Sequence, residues 1–165
     1  MSQPLFTTPL KASLSIPLPE LDDSPGSAFK RSPRGFPISP ERNSLIPTLP
    51  LYGSIPRITG DTLVSIIMGK YSSHFTNYFI IDCRFSYEYE GGHIKNAINC
   101  NDPRILSSSF FEEIQQNTII IFHCEFSQNR GPQMAQIFRD SDRESNKSFY
   151  PNLYYPNVYI LDGGY

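Results

Sequence analysis

Three continuous apolar runs dominate the chain: Tyr78-Phe79-Ile80-Ile81, leading into Asp82-Cys83; Thr118–Phe122; and Val158-Tyr159-Ile160-Leu161. Runs of this length without polar alternation predict strands buried on both faces, as in a parallel sheet. Ala97-Ile98-Asn99 is a shorter fourth candidate. Between the runs the period lengthens to that of a helix. Leu63, Ile66 and Ile67 predict a helix capped by Thr59 and stopped by Gly69. A second helix is predicted around Ser108–Gln115, with Phe111 and Ile114 inward. A third runs from Pro132 to Arg139, with proline near its first position. Tyr87–Gly92 is polar, ends in a glycine pair and reads as a loop. Strands alternating with helices predict an α/β fold with a largely parallel sheet. No internal repeat is present.

The pattern stops short of the N-terminus. Of the 15 prolines, 11 fall at or before Pro56, and this early part has no long apolar run. Residues 1–55 are therefore expected to be a disordered, Pro/Ser-rich tail, because sparse apolar content cannot offset the entropy of ordering. The folded domain is expected over 56–165, a length that can bury about two-thirds of its unfolded surface. Two Ser/Thr-Pro pairs in the tail carry a basic residue two places after the proline: Thr8-Pro9-Leu10-Lys11 and Ser39-Pro40-Glu41-Arg42. They resemble acceptor sites of proline-directed kinases. Thr8 and Ser39 are thus candidate phosphosites, unless the pairs are chance features of a low-complexity linker.

Net charge is -2, and the sequence pI is about 5.9. No global basic field points to nucleic acid or to a membrane surface. The first 20 residues are broken by prolines and contain no apolar leader core, and no stretch reaches the ~20 apolar residues of a membrane span. Three cysteines, an odd number without framework spacing, suit a reducing compartment with free thiols. A zinc site is disfavoured because no C-x-x-C pair exists; no metal or cofactor is expected.

The segment TIIIFHCEFSQNRGP, Thr118–Pro132, carries the candidate chemistry. A buried strand ends at His123-Cys124, five residues follow, and Arg130-Gly131-Pro132 opens a helix. Such a turn points successive backbone N–H groups inward as an anion-binding nest at a helix N-terminus. The same dipole favours the thiolate, the nucleophilic form of cysteine. Cys124 is the candidate nucleophile, forming a cysteinyl-phosphate that splits hydrolysis into two easier steps. Arg130 offers a planar fork to two phosphate oxygens. Glu125, Phe126, Ser127, Gln128 and Asn129 form the rest of the phosphate-binding loop, with Ser127 able to hydrogen-bond the sulfur. His123, at the strand end, is expected to order the loop through hydrogen bonds rather than to act as a base. Asp82 and Arg84 are expected to pair within the fold, and Glu88 and Glu90 to lie in a solvated loop. Cys100 has no motif around it.

At these residues the sequence resembles the M-phase inducer phosphatases, dual-specificity enzymes that activate cyclin-dependent kinases. The resemblance covers almost all of residues 56–165. It rests on Ile80-Ile81-Asp82-Cys83-Arg84 and Tyr87-Glu88-Tyr89-Glu90-Gly91-Gly92-His93-Ile94. It rests further on His123-Cys124-Glu125-Phe126-Ser127, Arg130-Gly131-Pro132, Tyr150-Pro151, Tyr154-Tyr155-Pro156, Tyr159-Ile160-Leu161 and Gly163-Gly164-Tyr165. It implies a rhodanese-like fold, a five-stranded sheet flanked by helices. The implied substrate is phosphothreonine and phosphotyrosine in a cyclin-dependent kinase with its cyclin, at entry into mitosis. The implied setting is a monomer in nucleus and cytoplasm that needs no cofactor. Cys83 matches the family's second cysteine, which traps the oxidised nucleophile as a disulfide; on an apolar strand it also serves as core. Arg139 and Tyr150 match positions used to dock the kinase.

Two departures stand out. The family commonly carries Glu just before the loop arginine, where this chain has Asn129. Asn cannot deliver a proton, so that role falls to Glu125, to water or to a monoprotonated substrate phosphate. The family also continues beyond Gly-Gly-Tyr into a further helix, so the C-terminal helix is expected to be missing here and one sheet face to lack cover. Either a fragment or a reduced enzyme fits that end. The rival readings are a non-catalytic kinase-binding module and arsenate reduction or sulfurtransfer on the same fold. Rhodaneses have one residue fewer in this loop, which disfavours sulfurtransfer.

Overall fold

The computed structural model describes residues 44–50 and 53–165. Thr8 and Ser39 lie outside the described residues, as does most of the expected tail. Packing begins earlier than the expected boundary at Pro56. Ile46 and Ile55 are 3% and 4% exposed, Ser44 Oγ hydrogen-bonds the Tyr159 hydroxyl at 3.0 Å, and Leu49 N donates to Arg57 O at 2.8 Å. Two isolated isoleucines among prolines make no periodic signal, yet each finds a pocket in the core.

Five strands, β1 (Arg57–Ile58), β2 (Asn77–Asp82), β3 (Ala97–Asn99), β4 (Thr118–His123) and β5 (Asn157–Leu161), form one sheet in the order β1-β5-β4-β2-β3. Every pairing is parallel. The four strands predicted from apolar runs are all present, and two-residue β1 is too short to show a period.

The central strand explains the unbroken apolar run. All six residues of β4 are buried. Ile119 and Ile121 join Leu63, Ile66 and Tyr159 on one face, while Ile120 and Phe122 join Phe110, Met134 and Phe138 on the other. Burying each such side chain contributes about 1.5–3 kcal/mol. Both faces of β4 are covered.

Helix α1 (Gly60–Ile67) covers the first face. The Thr59 side chain accepts from Thr62 N, the cap expected from sequence. On the second face lie α3 (Pro103–Glu112) and α4 (Arg130–Ser145). Helix α3 begins five residues before the predicted start, because the Asp102 side chain accepts from Arg104 N and Pro103 takes the first position. Its inward residues are Leu106 and Phe110; Phe111 is half-buried against the same core, and Ile114 lies beyond the helix end. Helix α4 extends past the predicted Pro132–Arg139 at both ends. Its last turns bury the polar residues Arg139 and Asp142, which interrupt the apolar period.

The loop reading of Tyr87–Gly92 is corrected to a short helix, α2 (Ser86–Glu90). None of its residues is fully buried, so it has no apolar face for a period to reveal. It is held instead by Phe85 N donating to Glu88 Oε2 at 2.8 Å. Among the described residues, no helix is long and apolar enough to cross a membrane.

Candidate active site

β4 delivers His123 and Cys124 to its C-terminal end, the edge where α/β sheets place their ligands. Cys124 is 4% exposed at the floor of the loop that leads into α4. Glu125, Phe126, Gln128 and Asn129 are exposed around the rim, while Ser127 is fully buried. Ser127 has φ +50, a left-handed kink that turns the chain back toward the helix. Its carbonyl accepts from Arg57 Nη2 at 3.0 Å, and its Oγ is buried without a hydrogen-bond partner.

Two glycines make this loop possible. A Cβ on Gly131 would lie 3.0–3.1 Å from backbone atoms of His123 and Cys124, so glycine lets the start of α4 sit against the strand end. Gly164, with φ +78, passes under the loop; a Cβ there would collide with the carbonyl oxygens of Cys124 and Glu125. Tyr165 N then donates to those same two carbonyls, each at 3.0 Å. The Arg84 guanidinium stacks 3.9 Å from the Tyr165 ring centroid. Gly164→Ala is therefore expected to lower stability by about 2–4 kcal/mol. Because the displaced segment is the loop itself, any anion-dependent turnover should fall about tenfold or more. Denaturant melts beside steady-state rates check this.

Arg130 occupies the first position of α4 and is half-buried. Its Nη1 and Nη2 meet Glu88 Oε2 and Oε1 at 2.5 and 3.0 Å, a bidentate pair linking α4 to α2. Glu88 is thus no member of a solvated loop. Arg130, and next the Phe85 N–H, hold its carboxyl down at about 2. Sequence reasoning missed this partner; the one available signal was a Glu three residues into a helix that the apolar pattern does not show. Two of the five N–H donors of Arg130 serve Glu88, leaving a side of the fork for an anion.

The depressed value has a pH consequence. The pair is intact above the ordinary carboxyl value of about 4.5 and is lost only as pH falls toward about 2. Glu88 stays ionised at any working pH and cannot be a proton donor. Glu88→Gln is expected to leave the acid limb of a kcat/KM pH profile where it is, changing only its height. A shift of that limb by a pH unit would instead make Glu88 the acid.

Beneath the loop lies a buried ion pair, as expected for Asp82 and Arg84. Arg84 Nη2 is 2.7 Å from Asp82 Oδ2 and also donates to Gly92 O at 2.7 Å. His123 is fully buried, with Nδ1 3.3 Å from Cys124 O and Nε2 3.7 Å from Asp82 Oδ2. Burial pushes its pKa down, so the imidazole is neutral and orders the strand end. Cys83 follows β2 directly and shares the core cluster with Cys124.

The two residues expected to dock a partner line one pocket but differ in exposure. Tyr150 is 85% exposed, but Arg139 is 7% exposed. Its guanidinium donates to Tyr155 O at 2.7 Å and Pro156 O at 2.9 Å, and contacts Asp142 Oδ2 at 3.4 Å. Arg139 pins the segment before β5 to α4, and it also lines a pocket together with Tyr150 and Pro151. Among the described residues, no group of three or more His, Cys, Asp or Glu is placed to hold a metal ion.

The Rhodanese-like domain family matches residues 68–165. An M-phase inducer phosphatase of Emericella nidulans is 51% identical over 68% of this chain and 20% of the relative. M-phase inducer phosphatase 1-B of Xenopus laevis is 48% identical over 66% and 20%, and the Schizosaccharomyces pombe M-phase inducer phosphatase 46% identical over 68% and 19%. The chain spans about a fifth of the length of these curated relatives. A buried cysteine and a clamped arginine on either side of a kinked loop, on this sheet order and with this similarity, place the chain in the rhodanese-like domain family, as a relative of the M-phase inducer phosphatases.

Proposed function

We propose that this chain is a protein phosphatase domain that works through a phosphate ester of Cys124. The observation that carries the reading is the placement of Cys124 at the floor of a kinked loop whose far end presents Arg130, already oriented by Glu88. A phosphate dianion entering from the exposed rim meets the loop's N–H groups and the free side of the Arg130 fork. The Cys124 thiolate attacks phosphorus; the S–P bond forms as the ester P–O bond breaks. The leaving oxygen takes a proton. Glu88 is ionised and Asn129 has none to give, which leaves Glu125 at the rim, water or the phosphate itself. Water then attacks phosphorus, the S–P bond breaks, and inorganic phosphate and the thiolate are released. The unpartnered Ser127 hydroxyl is available to donate to the departing sulfur.

The rim favours a phosphate carried on a protein. Phe85, Tyr87 and Phe126 are 51%, 72% and 62% exposed beside the loop, an aromatic rim available to a protein-borne phosphothreonine as well as phosphotyrosine. Similarity to M-phase inducer phosphatases supports a phosphorylated cyclin-dependent kinase as substrate, with exposed Tyr150 as a contact. The test is hydrolysis of a generic aryl phosphate and of doubly phosphorylated kinase by the purified chain, with tungstate as competitor. Turnover of both, inhibited by tungstate, is expected. A folded chain that binds the kinase but turns over neither substrate would make it a binding module.

A further inference from the structure

Three cysteines stand side by side at one edge of the sheet. β2 lies between β4 and β3, with Asp82 opposite both His123 and Asn99. The next residue along each strand is Cys83, Cys124 and Cys100 respectively. The ladder continues through them: Cys83 N donates to His123 O at 2.8 Å, and Cys100 N donates to Asp82 O at 3.0 Å. Adjacent strands run about 4.8 Å apart, within the Cα spacing of about 4.4–6.8 Å that a disulfide spans. Cys83 and Cys124 belong to the same core cluster and Cys100 packs against it, so the three thiols share one face. All three are free. Burial raises the Cys83 thiol well above its usual value, with the charges of Cys124 and then Cys100 adding to the effect. Cys83 therefore has a thiol neighbour on each side, and Cys100, half-buried rather than buried, is the one nearer solvent.

We propose that Cys100 is the terminal thiol of a three-cysteine line that carries oxidation away from Cys124. The proposal rests on Cys124 being the reactive thiol of the proposed function. The oxidant is a peroxide. It converts the Cys124 thiolate to a sulfenic acid, itself reduced to water or an alcohol. The Cys83 thiol attacks that sulfur, an S–S bond forms, and hydroxyl leaves with the Cys83 proton as water. Cys100, as thiolate, then attacks Cys83 Sγ. The Cys83–Cys124 bond breaks, a Cys83–Cys100 disulfide forms, and Cys124 departs as a thiolate. Arg130 lies close enough to stabilise that charge. The oxidising equivalents end on the outer pair and the nucleophile is restored. Burial raises the Cys100 thiol as well, so the last exchange should quicken with rising pH.

The experiment is a time course of the chain with one equivalent of hydrogen peroxide. Samples are alkylated and mapped by mass spectrometry without reduction. In the unsubstituted chain a Cys83–Cys124 disulfide should appear first and give way to Cys83–Cys100 with Cys124 alkylatable. In Cys100→Ser the first disulfide should persist until a dithiol is added. Circular dichroism and unoxidised turnover should match between the two proteins. A Cys83–Cys124 disulfide that persists equally in both, or Cys124 over-oxidised with Cys100 still alkylatable, would overturn the proposal. The mapping reads sulfur chemistry directly. A chain with no phosphatase turnover that still forms Cys83–Cys100 would count against the proposed function and not against the thiol line.

Discussion

Cys124→Ser is expected to cut aryl-phosphate hydrolysis by about 10⁴-fold or more while leaving the fold intact. Serine is nearly isosteric with cysteine and fits the same buried floor of the loop. What it lacks is a nucleophilic anion, and among the described residues the neighbouring His123 is not placed to generate one by taking its proton. Neighbouring His123 is turned away, with Nδ1 toward Cys124 O and Nε2 toward Asp82. Losing the nucleophile removes the covalent path altogether, and what remains is whatever the loop's N–H groups and Arg130 contribute by binding alone. Since those groups are untouched, tungstate should bind the variant about as tightly as the parent. Rates of the two proteins, beside tungstate titrations, check both halves.

Arg130→Lys should lower kcat by about 10²–10³-fold although the charge is kept. The guanidinium does two things at once here. It hands two donors to the Glu88 carboxylate and keeps its remaining edge toward the loop. A lysine ammonium is a point charge on a flexible stem. It would pair with Glu88 alone, and the phosphate would lose a fork aligned in advance. The loss should appear mainly in kcat, because the fork matters most as charge moves between oxygens in the transition state. An Arg130→Lys variant with near-parental kcat would mean that the loop N–H groups suffice.

The fold was readable where apolar residues repeat without interruption. β2, β4 and β5 are buried on both faces, and such strands show up as plain runs of Ile, Val, Phe and Tyr. The loop was readable because a cysteine at the end of a buried strand and an arginine opening a helix at Gly-Pro frame an anion-binding turn. Less visible were parts held by polar contacts. Helix α2 buries no residue fully, so nothing in the pattern separates it from a loop. Yet it carries Glu88, which holds Arg130. Arg139 looks like a surface cation on a helix, but the carbonyls of Tyr155 and Pro156, distant by 16 and 17 residues, close over it. The alignment of Cys83, Cys100 and Cys124 depends on strand order, since a register across three strands has no counterpart in linear spacing. Gly164 and Tyr165 were matched as a motif, but only their approach to Cys124 and Glu125 shows that they brace the loop.

If phosphate passes through a bond to Cys124, that bond can be caught directly. The chain is mixed with an aryl phosphate, quenched in acid within milliseconds, and its peptides mapped for phosphate under conditions that spare a thiophosphate ester. Phosphate on Cys124, formed at a rate no slower than turnover and absent from Cys124→Ser, is the predicted result. Full turnover with no adduct on Cys124, or an adduct on another side chain, would contradict it.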